Sequence, residues 1–150
     1  MKKLIGYMLT WTTYGTWLQG DKKGYVKNGK ICGENESLRK CNLSKMKTRK
    51  FVLGTQAQNI VKQSILEEAD KMVQQVYASS VSATHVHIVV NNIDEMVSDA
   101  VSRYKKTATK KLRAAGFTGE VWTKGYDVRY CFDEKELHSR VEYVNRHERS

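Results

Sequence analysis

The sequence predicts an α+β domain of the ferredoxin-like class, ordered β-α-β-β-α-β, with one extra helix at the C-terminus. Three observations support this prediction. Segments rich in β-branched and aromatic residues recur along the chain. Two long segments between them carry apolar residues at helical spacing, and a third amphipathic segment follows the last predicted strand. The expected layering places the antiparallel sheet on one side and the helices on the other.

The first half of the chain contains one strand, one loop and one helix, followed by a second strand. Residues 4–14 are rich in aromatic and β-branched types, which predicts the first strand. Residues 19–50 have no periodicity and are punctuated by glycine, so we expect a basic loop or insertion there. Apolar residues at helical spacing between about 55 and 76 predict a long helix, and residues 77–83 predict a short strand.

The second half repeats this alternation. The apolar run over 84–91 predicts a strand that forms a hairpin with the preceding one. A helix is expected to begin near Asp94 and to stop at Gly116. Residues 125–131 predict the last strand, after which Asp133 is placed to cap the final helix.

Length and composition favour a single domain over residues 1–150, because a chain of this size buries a core without cross-links. The three cysteines are odd in number and have no Cys-x-x-Cys spacing, which argues against a disulfide framework and a zinc ribbon. No apolar run approaches the ~18 residues of a membrane span. We therefore expect a cytoplasmic protein that does not contact a membrane.

The net charge of +10 is concentrated in residues 19–50 and 103–113. Such basic patches attract phosphate backbones, although a solvated helix face and a basic loop explain the same charges. Trp17 is expected to stack on an unpaired base, whereas Trp11 shares its strand face with apolar neighbours and is expected in the core. The cations expected to follow a phosphate backbone are Arg103, Lys105, Lys106, Lys110 and Lys111.

Two histidines lie two residues apart in the strand predicted over 84–91. Because successive strand side chains alternate faces, His85 and His87 point the same way and the valines and isoleucine around them point to the core. This arrangement presents two imidazoles to a metal ion, or else packs them as hydrogen-bonded structural groups. The pattern alone leaves both interpretations open.

The final helix carries a second set of candidate residues. Leu137, Val141 and Val144 have the spacing of a buried stripe. On the same helix Tyr143 and His147 lie one turn apart, side by side on the flank of that stripe. A phenol beside a metal ion can attack a phosphodiester once it is deprotonated, and His147 would complete the metal site. A boundary tyrosine and a helix-end histidine also have ordinary structural uses.

Four motifs, in this order and at these distances, look like those of the REP-associated tyrosine transposases, which are related to the single-tyrosine transposases of the HUH class of single-strand nucleases. The similarity extends over nearly the whole chain and is weakest over residues 25–50. The motifs are Leu9-Thr10-Trp11-Thr12-Thr13-Tyr14-Gly15-Thr16-Trp17-Leu18, His85-Val86-His87, Trp122-x-x-Gly125-Tyr126 and Glu142-Tyr143-Val144.

This resemblance implies cleavage of single-stranded DNA beside a hairpin, with a 5′-phosphotyrosine intermediate and a free 3′-hydroxyl. It implies a divalent metal, Mg²⁺ or Mn²⁺, held by His85 and His87, and it makes Tyr143 the nucleophile. Relatives commonly place Asn or Gln four residues after that tyrosine as a third ligand, and this position is His147. The Asn-Pro pair that usually follows the tyrosine is missing. The expected partner is single-stranded or hairpin DNA, bound by a monomer or homodimer.

Two other functions suit the same layout. One is a non-catalytic single-strand nucleic-acid-binding module, in which aromatic residues on a basic sheet bind bases without a covalent adduct. The other is a phosphoesterase that uses paired histidines as acid and base. The second would need another His-x-Thr/Ser element on a matching strand, and the sequence has none.

Overall fold

The computed structural model describes residues 3–16 and 50–149. Trp17, and the predicted basic loop over 19–50 apart from Lys50, lie outside the described residues. The elements are β1 (Gly6–Thr12), α1 (Thr55–Lys71), β2 (Val76–Val81), β3 (His85–Asn91), α2 (Val97–Ala114), β4 (Asp127–Cys131) and α3 (Glu134–Arg149).

The four strands form one sheet in the order β2-β3-β1-β4, and all three pairings are antiparallel. This order, with crossover helices between β1 and β2 and between β3 and β4, confirms the predicted ferredoxin-like class with an extra terminal helix. None of the helices in the described part of the chain is long and apolar enough to cross a membrane.

Two helix boundaries differ from the sequence prediction. The helix predicted to reach residue 76 ends at Lys71, because Val73 adopts a left-handed conformation with φ of 55°. The amide of Gln74 then donates to the carbonyl of Ala69, which closes the helix end. The helix predicted to begin near Asp94 begins at Val97, since Met96 is still extended.

One face of the sheet packs against α1 and α2 and contains the main core. Strand alternation directs Tyr7, Leu9 and Trp11 of β1 to this face, together with alternate residues of β3. All three are fully buried, and Trp11 stacks on Tyr104 of α2 at 6.2 Å between ring centroids. The prediction that Trp11 is a core residue is confirmed.

The opposite face of the sheet packs against α3. A small second core joins Met8, Ala78 and Val89 of the sheet to Val144 of the helix, and Leu137 and Val141 pack at its edge. The predicted apolar stripe of α3 is therefore confirmed, as is the cap, since Asp133 accepts a 2.8 Å hydrogen bond from the Glu136 amide. The expectation that all helices lie on one side is wrong, because the alternating strands present apolar residues to both faces.

Candidate active site

A row of polar side chains crosses the α3 face of the sheet. Strand register places Ser80 opposite His87, His87 opposite Thr10, and Thr10 opposite Asp127. Residues opposite one another in antiparallel strands point to the same face, so all four belong to the face that α3 partly covers. His85, two residues before His87, lies on that face beside Thr12.

The C-terminal half of α3 brings two more rings to this row. The Tyr143 ring lies 5.9 Å from that of His87, at right angles to it, and 4.3 Å from that of His147, measured between centroids. The His87 ring lies 5.0 Å from His147 and 6.1 Å from His85. The structure thus brings together, within one chain, the four residues that the sequence selected: three imidazoles and an exposed phenol.

All three imidazoles make hydrogen bonds through Nδ1. That of His87 contacts the Thr10 hydroxyl at 2.9 Å, and that of His85 contacts the Thr84 hydroxyl at 2.7 Å. That of His147 donates to the Tyr143 carbonyl at 3.0 Å, because a carbonyl can only accept. In the neutral ring this tautomer puts the lone pair of His147 on Nε2. Donation from Nδ1 to the two threonine hydroxyls gives His85 and His87 the same tautomer.

The surroundings favour neutral imidazoles. Burial, followed by the charges of His147 and His85, lowers the pKa of His87 to about 4 against an opposing effect of Asp127. Burial also lowers the pKa of His85, with smaller contributions from His147 and Lys50. Both strand histidines are therefore neutral at pH 7, the form in which imidazole binds a metal ion.

The donor chemistry of this cluster fits a divalent ion, because imidazole nitrogens are ordinary ligands and their second nitrogens are held by other groups. Among the residues that the structure describes, no three His, Cys, Asp or Glu side chains are already arranged to hold an ion. A complete ligand set from His85, His87 and His147 therefore requires side-chain rotation.

This geometry agrees with the comparison to known families. The sequence profile of the IS200-like transposases matches residues 43–147, which is most of the chain. The chain belongs to the IS200-like transposase family. No curated protein matches it.

Two solved structures share the fold of this chain. One is a REP-associated tyrosine transposase bound to a REP hairpin, at 15% identity and a TM-score of 0.57. The comparison covers 96% of this chain and 66% of that one, so the present chain spans slightly less than two thirds of the length of that protein. The other is a putative transposase from Deinococcus radiodurans R1, at 15% identity, a TM-score of 0.55, and coverage of 98% and 93%.

The cations predicted to follow DNA lie on α2, and α2 packs on the opposite face of the sheet from the imidazoles. The structure therefore does not bring them to the tyrosine. Arg103 contacts Glu68 at 2.8 Å and Glu95 at 3.3 Å. Lys105 donates to two backbone carbonyls, and Lys111 pairs with Glu67 at 3.3 Å. Lys106 and Lys110 are exposed. A role for these five residues in DNA binding stays a prediction.

Sequence reasoning missed three polar residues of the site face. Thr10 of β1 lies directly opposite Asp127 of β4. Arg129 lies two residues further along β4 on the same face, and its Nε is 2.9 Å from the Asp127 carboxylate. The signal available for Thr10 was its alternation with the buried Leu9 and Trp11. For Asp127 and Arg129 the sequence held no such signal, because only the pairing of β4 with β1 places them on the face that carries the imidazoles.

Proposed function

We propose that the protein is a metal-dependent single-stranded DNA endonuclease and strand transferase that acts at hairpin DNA through a 5′-phosphotyrosine intermediate. The observation that supports this most is the position of Tyr143. Its ring is exposed to solvent and lies 5.9 Å from the ring of His87, beside the cluster of three imidazoles. A nucleophile and a set of metal-binding side chains are thereby close together in a single chain.

In the proposed reaction the phenol of Tyr143 gives up its proton to solvent and its oxygen attacks the phosphorus. An oxygen–phosphorus bond forms, the bond from phosphorus to the 3′-oxygen breaks, and that oxygen takes up a proton to become a 3′-hydroxyl. The tyrosine ester conserves the phosphodiester energy. A later 3′-hydroxyl can therefore reverse the step and join strands without ATP.

The three imidazoles are assigned to hold the metal. His85 and His87 would bind it from β3, and His147 would complete the set from α3. Charge withdrawal from a non-bridging phosphate oxygen is the chemistry that a divalent ion supplies when bound. Three imidazoles suit transition ions on ligand softness, whereas the family resemblance implies Mg²⁺ or Mn²⁺. Mn²⁺ satisfies both criteria and is the ion to test first.

Hairpin DNA is the proposed partner. The REP-associated relative of known structure is bound to a REP hairpin, and the present chain carries a net charge of +10. A strongly basic protein releases counterions when it binds a phosphate backbone, which supplies affinity without reading sequence. One chain holds all four rings of the site, so the proposed chemistry is compatible with either a monomer or a homodimer.

The decisive experiment is covalent capture. The protein is incubated with a labelled oligonucleotide that carries a hairpin and a single-stranded tail, with Mn²⁺ or with EDTA, and a denaturing gel is examined for a labelled adduct. We expect an adduct in Mn²⁺ and none in EDTA. Tyr143→Phe should abolish it, while Tyr130→Phe should retain it, because Tyr130 is at least as exposed as Tyr143 but lies on the other face of the sheet.

An adduct that survives Tyr143→Phe would assign the nucleophile to another residue. Hairpin binding with no adduct under any metal condition would instead support the non-catalytic nucleic-acid-binding module.

A further inference from the structure

Two cations outside α2 lie at the edges of the site face. The first is Lys50, in the segment that crosses the end of the sheet. The amide of Phe51 donates to the Tyr14 carbonyl and that of Leu53 to the Ala83 carbonyl, which fixes this segment between the end of β1 and the β2–β3 turn. A Cβ at Gly15 would lie only 2.9 Å from the Lys50 Cα, so the two backbones are in close contact.

The position of Lys50 relative to the imidazoles follows from that anchoring. The β2–β3 turn leads directly into His85, and the Thr13 amide donates to the Thr84 carbonyl beside it. Lys50 is exposed, and it directly precedes Phe51, whose amide is bonded to the end of β1. This lysine therefore lies at the His85 end of the site.

The second cation is Arg129 of β4. It lies opposite Met8, on the α3 face, and its side chain is drawn toward the polar row by Asp127, which stands opposite Thr10. Neighbouring strands are about 4.8 Å apart, so β4 is roughly 10 Å from the β3 strand of His87. Among the described residues, Asp127 accepts a hydrogen bond from the Nε of Arg129 and from no other nitrogen of that guanidinium. The remaining guanidinium N–H groups are suited to bidentate binding of a phosphate.

We infer that Lys50 and Arg129 bind backbone phosphates of the DNA strand on either side of the one that Tyr143 attacks. This inference rests on the proposed function and adds a binding path to it. The strand would cross the site face from the end of the sheet near His85 to the edge strand β4. In this arrangement α3 packs over β2 and β3 and supplies the nucleophile. The phosphates are bound on the same face of the sheet, between the His85 end and the edge strand β4.

Electrostatics and geometry distinguish this pair from the α2 cations. Arg129 shares the α3 face of the sheet with Tyr143, and Lys50 lies at the His85 end of that face, whereas the α2 cations lie on the opposite side of the sheet. On α2, Arg103 and Lys111 are paired with carboxylates that belong to the helical layer. The α2 pair Lys106 and Lys110 is exposed and carries the same charge, so its replacement tests the competing assignment, in which the DNA follows α2 as the sequence predicted.

The test measures binding of the labelled hairpin oligonucleotide at several salt concentrations, by fluorescence anisotropy in a Tyr143→Phe background that prevents cleavage. Each phosphate contact on a single strand contributes about 0.7 to the slope of log affinity against log salt. K50Q/R129Q should therefore flatten the slope by about 1.4 and weaken binding roughly 25-fold at 0.1 M salt. K106Q/K110Q should change affinity less than about threefold and leave the slope as it is. Thermal unfolding checks that both variants are folded.

Arg129→Lys adds a second readout, because it keeps the positive charge but loses the planar guanidinium that binds a phosphate through two N–H groups. It should recover part of the affinity lost in Arg129→Gln and restore the salt slope.

The outcomes separate the inference from the proposed function. Equal losses in the two double variants, or a larger loss in K106Q/K110Q, overturn the inference. If wild-type protein forms the Tyr143 adduct while K50Q/R129Q binds DNA normally, the inference fails and the proposed function stands. If no adduct forms but K50Q/R129Q alone loses affinity, the binding path stands without the proposed chemistry.

Discussion

The two faces of the sheet show how the same strands serve stability and chemistry. On the α1 and α2 face, β1 and β3 bury large apolar side chains against two helices. A buried amide and two phenols bond to one another there: Gln74 donates to the Tyr7 hydroxyl at 2.9 Å and accepts from the Tyr104 hydroxyl at 2.5 Å. Among the described residues, the Trp11 indole N–H is the buried side-chain group without a partner.

On the α3 face, the same strands carry a smaller apolar cluster and a polar row. The cluster of Met8, Ala78, Val89 and Val144 holds the helix, while His85, Tyr143 and His147 remain partly or largely accessible. Alternation along a strand separates the two roles by a single residue. Strong packing on one face therefore supports a site on the other face whose own residues contribute little apolar burial.

The largest expected effect contrasts neighbouring residues on opposite faces. Ile88→Ala should lower the free energy of unfolding by about 2–5 kcal/mol, since Ile88 is fully buried against both helices. His87→Ala should cost less, about 1–3 kcal/mol, because it leaves the buried Thr10 hydroxyl without its partner, yet abolish metal-dependent cleavage. Urea unfolding and the adduct assay measure the two effects. An equal loss of stability in both variants would identify His87 as a core residue instead.

A smaller effect is expected at the threonine behind His87. Thr10→Val keeps the shape of the side chain but removes the hydroxyl that holds Nδ1, so it should weaken Mn²⁺ binding by roughly 10- to 100-fold in calorimetric titration. Thr107→Val is the matched control, because its hydroxyl bonds Glu68 at 2.7 Å on the helical side. The control should lose stability and keep its metal affinity. Unchanged Mn²⁺ affinity in Thr10→Val would show that this hydroxyl does not position His87.

The smallest effect concerns pH on the helical side. Burial alone would raise the pKa of Glu68, but hydrogen bonds from Thr107 and Arg103 and the charge of Arg103 lower it below its ordinary value of 4.5. A carboxyl group with a lowered folded-state pKa stabilises the protein above the unfolded value and loses that effect as the pH falls through the folded one. Glu68→Gln should therefore cost about 1–2 kcal/mol at pH 7 and progressively less below pH 4.5. A cost that grows on acidification, in unfolding curves from pH 7 to 3, contradicts this assignment.

Local sequence patterns predicted the parts of the site that lie on one element. The one-turn spacing of Tyr143 and His147 predicted that their rings are adjacent, and strand alternation predicted that His85 and His87 lie on the same face of the sheet. Asp133 was recognisable as a cap because the residue type and its distance from the apolar stripe are both local signals. These features depend on helical and strand geometry alone.

The parts that sequence reasoning did not predict depend on pairing between distant segments. Thr10 reaches His87 only because β1 pairs with β3 across 77 residues of chain. Asp127 and Arg129 join the site through the pairing of β4 with β1. The α2 cations lie away from Tyr143 because α2 packs on the other face of the sheet. The periodicity of apolar residues within α2 does not show on which face of the sheet the helix packs. Trp17 and most of the predicted loop lie outside the described residues.

The division of β3 between two faces also restricts how this protein can evolve. A one-residue insertion between the turn at 82–84 and His87 would exchange the faces of the residues that follow it, driving imidazoles into hydrocarbon and apolar side chains into water. Point replacements in this strand affect one function at a time, whereas a shift in length damages both at once. Descendants of this chain are therefore expected to vary in length in the segments outside β3 and to preserve the number of residues within it.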